Sequence, residues 1–253
     1  MAHRIVADAE SDPDGRTRRL SWLLAFVGFF LAIGAWSFAA PYNGTPDEKD
    51  HIYRAYGVAT GQVVLSPEKA IRDGGAFVDV PTSLLVVDCW QFKSEVSAEC
   101  AKEPGGDETL ASVGTGAGRY FPAYYALVGG PLALSPDWTG VLLSRLLSAA
   151  LCAFFLANAL IDAMRWSRHR FLAVGVLLGV TPMVVHMGGA INPSGPELAA
   201  GVAFFAAAFP LLFTPAARRN PLTCHRPYHL GMTNSSAKTT TPSLLSVRRP
   251  TIF

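Results

Sequence analysis

The sequence predicts an all-α polytopic membrane protein with about four transmembrane helices and one large, mixed extracytoplasmic loop after the first helix. Three observations lead to this fold class. Half of the 253 residues are hydrophobic and only 16% are charged, which is too apolar for one soluble domain. The charges are grouped in blocks that leave long uncharged runs between them. Basic residues flank these runs, as they do at the cytoplasmic ends of membrane helices.

The first predicted span covers residues 20–40, a run of 21 residues without charge. A transmembrane helix needs about 20 apolar residues, whereas the apolar region of a cleaved signal peptide has about 7–15. Three arginines precede the run, so residues 1–19 are expected to form a cytoplasmic N-terminus. The length of the run therefore favours an uncleaved membrane anchor.

Three further spans follow the loop. The second is predicted at residues 138–164, the third at 171–191 and the fourth at 197–217. Pro182 and Pro210 lie inside the third and fourth spans, where proline kinks a membrane helix but is tolerated.

The distribution of Lys and Arg predicts the orientation of these spans. Cytoplasmic flanks of membrane helices collect positive charge. A cytoplasmic N-terminus places the later basic clusters on the same side: Arg165, Arg168 and Arg170 after the second span, and Arg218 and Arg219 after the fourth. Residues 218–253, rich in Ser, Thr and Pro, are then expected to form a disordered cytoplasmic tail.

Residues 41–118 are expected to form a polar extracytoplasmic loop. A tract of this length is usually functional or disordered. Phe77–Val87 has the β-branched content of a strand, whereas Pro104–Gly118 is rich in glycine and is expected to be flexible. Residues 119–137 are apolar but broken by glycine and proline, which predicts an interfacial or re-entrant helix. Its aromatic residues are expected at the level of the lipid headgroups: Tyr120, Phe121, Tyr124 and Tyr125.

Two of the four cysteines, Cys89 and Cys100, lie in this loop. An extracytoplasmic loop permits a disulfide between them. Two free thiols are equally compatible with the sequence. No CxxC pair occurs, so a zinc or redox motif of that kind is not expected.

A helix is predicted to begin just after the first span. Thr45 suits the N-cap, Pro46 suits the first helical position, and Glu48 completes a capping box. The helix is expected to run to about Thr60, before Gly61.

Asp47 is the candidate for chemistry in this helix. Capping explains Glu48, but Asp47 is not the reciprocal capping residue. A carboxylate at the positive end of a helix is stabilised as the anion and can take a proton from a hydroxyl. Asp50 and Arg54 are spaced for an ion pair along the same helix. A metal site is an alternative, because His51 follows Asp47 and Glu48 at helical spacing, but so few ligands are a weak signal and no metal is assigned.

Three segments together resemble the GT-C superfamily of membrane glycosyltransferases, and in particular an uncharacterised bacterial branch of it. The first is the acidic pair within Pro46–Ala55, directly after the first span. The second, Arg119–Tyr125, is similar to the Tyr-Pro-Pro-x-Tyr-Tyr string that ends the first outer loop in many members. The third, Asn192–Glu197, is similar to a short outer loop of the bacterial branch.

The resemblance implies transfer of a sugar from a polyprenyl-phosphate donor to an acceptor hydroxyl on the outer face of the cell membrane. Asp47 would be the catalytic base and Glu48 would position it or the acceptor. The residues expected to bind substrate are His51, Arg54, Arg119, Tyr124 and Arg145. Arg145 lies within the second span, where an arginine needs a phosphate or an acidic partner unless it reaches the outer headgroups.

The resemblance also implies a longer protein. Members are about twice this length, with roughly a dozen spans. The chain is therefore expected to correspond to the N-terminal third to half of such a protein, which lacks donor-binding residues of later loops.

A second function class stays open, namely a non-enzymatic polytopic membrane protein with an accessory or structural role. The sequence identifies no cofactor. The expected partners are membrane lipid and the polyprenyl-phosphate sugar donor. Nucleic acid is not expected, because no basic stripe with interleaved aromatic residues is present.

Overall fold

The computed structural model describes residues 13–68, 71, 75–87, 89–166 and 170–213. Its helices are α1 (Pro13–Ala39), α2 (Glu48–Ala59), α3 (Pro122–Val128), α4 (Gly130–Leu134), α5 (Trp138–Trp166), α6 (Phe171–Gly179), α7 (Pro182–Gly188) and α8 (Ser194–Phe213). Its strands are β1 (Ala76–Pro81) and β2 (Leu110–Thr115), and single turns of 3₁₀-helix cover Thr82–Leu84, Ala98–Cys100 and Gly116–Arg119. The tail predicted at 218–253 lies outside the described residues.

Two of the described helices are long and apolar enough to cross a membrane. They are Gly15–Ala39 within α1 and Trp138–Arg165 within α5, and they correspond to the first two predicted spans. Helices α6 and α7 pass the same test only as a pair, and they are bent by 61° at the short break between them. The described residues therefore contain two candidate spans, or three if the bent pair is one broken span. Helix α8 overlaps the fourth predicted span, of which residues 214–217 lie outside the described residues.

The bend between α6 and α7 has a local cause. Pro182 has no N–H to donate and its ring clashes with the preceding turn, so a helix cannot run through it unperturbed. Thr181 instead caps the new helix, because its hydroxyl accepts a hydrogen bond from the Val184 N–H. The third predicted span is thus two short helices rather than one continuous helix.

Helices α1 and α5 pack side by side in opposite directions. Trp22, near the start of α1, meets Phe154 in the second half of α5, with ring centroids 6.1 Å apart. Tyr42, just past the end of α1, meets Trp138 at the start of α5. The N-terminal end of α1 and the C-terminal end of α5 therefore lie at the same end of the helix pair.

The loop between α1 and α5 packs around a hydrophobic core built on α2, β1, α3 and α4, to which Val141 of α5 and Ile191 also contribute. Strands β1 and β2 pair antiparallel, with Ala76 opposite Thr115 and Pro81 opposite Leu110. Two predictions about this loop need correction. The strand expected over Phe77–Val87 ends at Pro81, where a 3₁₀ turn begins. The segment Pro104–Gly118, expected to be flexible, contains β2 because pairing with β1 satisfies its backbone.

The re-entrant helix predicted at 119–137 is two short helices that break at Gly129. Tyr120 and Phe121 are exposed, but Tyr125 is fully buried in the loop core. Tyr124 is half-buried and its hydroxyl donates to Ser148 of α5. Tyr124 and Tyr125 therefore pack against the protein, and the location of these aromatic rings at headgroup level stays a prediction.

Candidate functional site

Helix α2 begins later than the sequence predicts. Its first helical residue is Glu48, and Asp47 takes the N-cap position with φ of 57°, in the left-handed region. The carbonyl of Asp47 accepts from the N–H groups of Asp50 and His51. Thr45, the predicted N-cap, is buried, and among the described residues its hydroxyl has no hydrogen-bond partner. The predicted capping box is therefore wrong.

A side chain from outside the predicted motif caps α2 instead. Asn43 accepts a hydrogen bond from the Lys49 N–H through its Oδ1, at 3.0 Å, which satisfies one of the unpaired amides of the first turn. Asn43 is itself left-handed, with φ of 56°, a conformation that Asn tolerates better than most residues. Its carbonyl accepts from the side-chain amide of Gln91 at 2.9 Å. Asn43 thus links the start of α2 to the segment around residue 91.

Glu48 does not reach back to the backbone because it is paired with Arg145. Its Oε1 accepts from Nε of Arg145 at 2.8 Å, and its Oε2 accepts from Nη2 at 2.7 Å. Both side chains are fully buried. A bidentate pair of this geometry is among the strongest polar contacts a protein makes. An unpaired buried guanidinium costs far more than an uncapped helix amide, so the ion pair takes the carboxylate.

The other N–H groups of Arg145 bind the end of α1. Nη1 donates to the carbonyls of Ser37 and Ala40, and Nη2 donates to the carbonyl of Pro41. These carbonyls belong to the last turn of α1 and just beyond it, where no intrahelical partner exists. The guanidinium also lies 5.3 Å from the centroid of the Trp138 ring. Every N–H of Arg145 has an acceptor here, so none is left for a donor phosphate.

The segment after α7 completes the enclosure of Glu48. Oε1 of Glu48 also accepts from the Ile191 N–H at 3.2 Å. The side-chain amide of Asn192 donates to the Pro46 carbonyl at 3.1 Å, and its Oδ1 accepts from the Ser194 N–H. The third segment that the sequence singled out is therefore in direct contact with the first.

His51 connects the second segment to the first. It is buried, and its Nδ1 lies 2.8 Å from the hydroxyl of Tyr125. The Tyr120 ring stands edge-on to the imidazole, with centroids 5.4 Å apart. Burial lowers the pKa of His51 to about 4, against the opposing effect of the nearby carboxylates, Asp50 first. His51 is therefore a neutral imidazole at physiological pH.

The predicted ion pair between Asp50 and Arg54 is not formed. Oδ1 of Asp50 accepts from the Gly116 N–H at 2.8 Å. The guanidinium of Arg54 donates instead to three backbone carbonyls, those of Gln62, Val63 and Tyr120. Unpaired carbonyls of the loop thus take the donors, and both charged residues hold neighbouring segments against α2.

The start of α2 and the loop segments around it line a cavity of about 930 Å³. Its floor is the stretch from Asn43 to His51, and Asp47 and Asp50 both line it. Trp90, Gln91 and Phe92 line it on one side. The remaining lining residues are Ile71, Gly114, Gly116, Ala117 and Tyr120. We refer to it below as the Asp47 cavity.

A disulfide joins Cys89 and Cys100, with their Cα atoms 6.1 Å apart. The bond closes the loop that carries Trp90 and Phe92 at its start. Together with the hydrogen bond from Gln91 to Asn43, it fixes this wall of the cavity to the start of α2. Of the two alternatives that the sequence leaves open, the structure contains the bridged form.

The predicted site residues separate into two groups. Asp47 is exposed and, with His51, lines the cavity. Glu48, Arg54, Tyr124 and Arg145 are held in internal contacts. Arg119 is exposed at the end of its 3₁₀ turn, next to Tyr120. Within the described residues, no group of three or more His, Cys, Asp or Glu side chains could hold a metal ion.

Sequence reasoning missed Asn43, Gln91 and Trp90. Asn43 stands two residues before Thr45, where Asn-Gly indicates a turn and a left-handed residue. The Asn-Gly pair could therefore have predicted the left-handed conformation of Asn43. Gln91 and Trp90 lie in a loop without periodicity, so only their tertiary contacts show that they line the cavity.

A known protein family matches most of the chain. The family model described as "Predicted membrane protein (DUF2142)" matches residues 29–224, which include the three segments that meet at the first turn of α2. No curated protein and no solved structure matches the chain. Because the family model covers well over half of its 253 residues, the chain belongs to the DUF2142 family of predicted membrane proteins.

Proposed function

We propose that this protein is a membrane glycosyltransferase of the GT-C type, or the N-terminal portion of one. The observation that carries the proposal is the convergence of the three segments that resemble that superfamily. They lie far apart in sequence and meet around the first turn of α2, through the Glu48–Ile191, Asn192–Pro46 and His51–Tyr125 contacts. Convergence of separate loops on one exposed carboxylate at a cavity is typical of an active site.

Asp47 is the proposed general base. The acceptor hydroxyl would attack the anomeric carbon of the donor and form the new glycosidic bond. The bond between that carbon and the phosphate oxygen would break, and its electron pair would leave with the polyprenyl phosphate. Asp47 would take the proton of the hydroxyl, a role in which a carboxylate lowers the barrier.

The backbone of Asp47 supports a functional role. Asp47 has φ of 57°, in the left-handed region, where aspartate is less strained than most residues but still uncommon, and such backbone positions collect at active sites. The surrounding contacts hold Asp47 there: Asn43 and Asn192 bind the chain on either side of it. These contacts fix the position of a carboxylate that would otherwise turn freely in a loop.

The proposed topology has four spans in the cell membrane, with the loop on the outer face. The antiparallel packing of α1 and α5 supports it, because the arginines in the first turns of α1 (Arg16, Arg18 and Arg19) and Arg165 in the last turn of α5 then lie at one end. The donor would present its phosphate at the opposite end. Arg119 remains the proposed phosphate ligand, because it is exposed beside the cavity, whereas Arg145 is fully bound.

The test is transfer in vitro from polyprenyl-phosphate sugars, with the full-length protein in membranes. Asp47→Asn keeps the shape and tolerates the left-handed backbone, but it cannot take a proton. Loss of a general base should reduce transfer about 10²–10⁴-fold. Thr45→Ala is the control, since the Thr45 hydroxyl makes no hydrogen bond to any residue that the structure describes, and this variant should retain measurable transfer. Normal turnover by Asp47→Asn would exclude Asp47 as the base.

A further inference from the structure

The exposed ring and left-handed backbone of Phe92 contribute nothing to the stability of the fold. Its ring is fully exposed, and its backbone has φ of 60°. A bulky residue in the left-handed region is a genuine outlier, and an exposed apolar ring gains nothing from burial to offset the strain. Glycine or asparagine would serve the turn better. The position of Phe92 at the mouth of the Asp47 cavity indicates a contact with something outside the protein.

Two other aromatic side chains line the same cavity. Trp90 is half-buried on the wall that the disulfide and the Gln91–Asn43 hydrogen bond hold in place. Tyr120 also lines the cavity, and about half of its surface is exposed. Flat apolar rings on a fixed wall offer stacking surfaces at a small entropic cost.

The charges in the cavity select against an anion. Asp47 and Asp50 bring two carboxylates, Lys49 brings one ammonium, and His51 is neutral. The lining therefore repels a phosphate and favours a neutral ligand with many hydroxyl groups. The volume of about 930 Å³ is near the upper end of the range for small-molecule sites.

We propose that the Asp47 cavity is a saccharide-binding subsite that holds the acceptor. The apolar C–H faces of the sugar rings stack on Trp90, Phe92 and Tyr120, while the hydroxyl groups bind Asp47. The identification of the bound saccharide as the acceptor rests on the proposed transferase function. Saccharide binding itself is measured without any transfer. The anionic phosphate of the donor binds outside this cavity, at the proposed ligand Arg119.

The experiment is saturation-transfer NMR on the intact protein in a detergent without a sugar headgroup. The probes are neutral disaccharides of mannose, galactose, glucose and arabinose at millimolar concentration. We expect at least one to bind, with signal strongest at ring C–H protons. Phe92→Ala and Trp90→Ala should each weaken binding roughly 2- to 10-fold, the range for one aromatic contact.

Phe121→Ala is the matched control. Phe121 is an exposed phenylalanine that follows Tyr120 in the sequence, but it does not line the cavity. It should leave saccharide binding unchanged. Each variant is first checked for its disulfide and for its unfolding temperature, and Phe92→Ala is expected to fold because the ring is exposed.

Three results would overturn the inference. The first is that no disaccharide binds, and the second is that Trp90→Ala and Phe92→Ala bind saccharide as strongly as the unsubstituted protein. The third is that Phe92→Ala weakens binding to lipid vesicles but not binding to saccharides. The last result would make the aromatic wall a membrane contact. Saccharide binding without any transfer would uphold the subsite and count against the transferase. If Asp47→Asn abolished transfer and Phe92→Ala left it unchanged, the result would uphold the transferase and count against the saccharide subsite.

Discussion

The ion pair of Glu48 and Arg145 shows how one buried side chain decides the role of its neighbours. Removing two charges from water is expensive, and only good geometry and further hydrogen bonds offset the cost. The pair meets both conditions, since every N–H of the guanidinium is bonded. Glu48 is therefore held in the structure and is not available to the chemistry proposed for Asp47.

Glu48→Gln should destabilise the protein strongly, because it leaves the Arg145 charge buried without a counter-ion. The expected cost is about 3–5 kcal/mol, read as a lower unfolding temperature in detergent. The control is Asp162→Asn, which removes an exposed pair with Arg165 whose charged atoms lie 3.9 Å apart. A pair of that kind contributes about 0–1 kcal/mol. Equal effects of the two substitutions would contradict the structural role of Glu48.

Helix α2 shows what local sequence can and cannot predict about an element. Its end is predicted well: α2 stops at Ala59, and Gly61 follows with φ of 93°, a conformation that glycine adopts without strain. Its start is mispredicted, because a capping box is a local pattern, whereas the donor that binds the Glu48 carboxylate here is a distant residue. Arg145 follows Glu48 by 97 positions in the sequence, and no local pattern reports on it.

The break between α3 and α4 provides a prediction about a close backbone approach. A Cβ added at Gly129 would lie 2.2 Å from the Ala55 carbonyl oxygen of α2, whereas one added at Gly130 would meet nothing within 4 Å. Gly129→Ala should therefore force α3 and α4 away from α2 and lower the unfolding temperature. Gly130→Ala, the neighbouring control, should be tolerated. Similar stability of the two variants would show that α2 does not pack as described.

At the scale of the whole molecule, the pairing of α1 with α5 agrees with the charge pattern of the sequence. The first two predicted spans correspond to helices of the expected length. The third was predicted as one span, and the structure resolves it into a pair bent by 61° at Pro182. Hydropathy averages over a window, so it detects apolar length but not the angle at a proline. The contacts of the candidate site form only when the helices have packed together. The sequence therefore predicted the individual segments of the site but not the contacts between them.

The proposed topology is tested with reporter fusions. A reporter after Gly106 should be extracytoplasmic, because the loop is proposed to lie outside. Reporters after Arg168 and Arg219 should be cytoplasmic, because positive clusters are retained on that side. Finding Gly106 and Arg168 on the same side would rule out the proposed arrangement of spans.

The contacts of Glu48 also set an order for the maturation of this protein during synthesis. Glu48 leaves the ribosome well before its partners, since Arg145 follows by 97 residues and Ile191 by 143. Until α5 has arrived beside α1, the first turn of α2 has a carboxylate with no guanidinium to hold it. The Asp47 cavity therefore cannot take its final form when the loop is first translocated. A nascent chain halted before α5 would carry the complete loop but not a formed cavity, because the first turn of α2 would lack the contacts of Arg145 and Ile191.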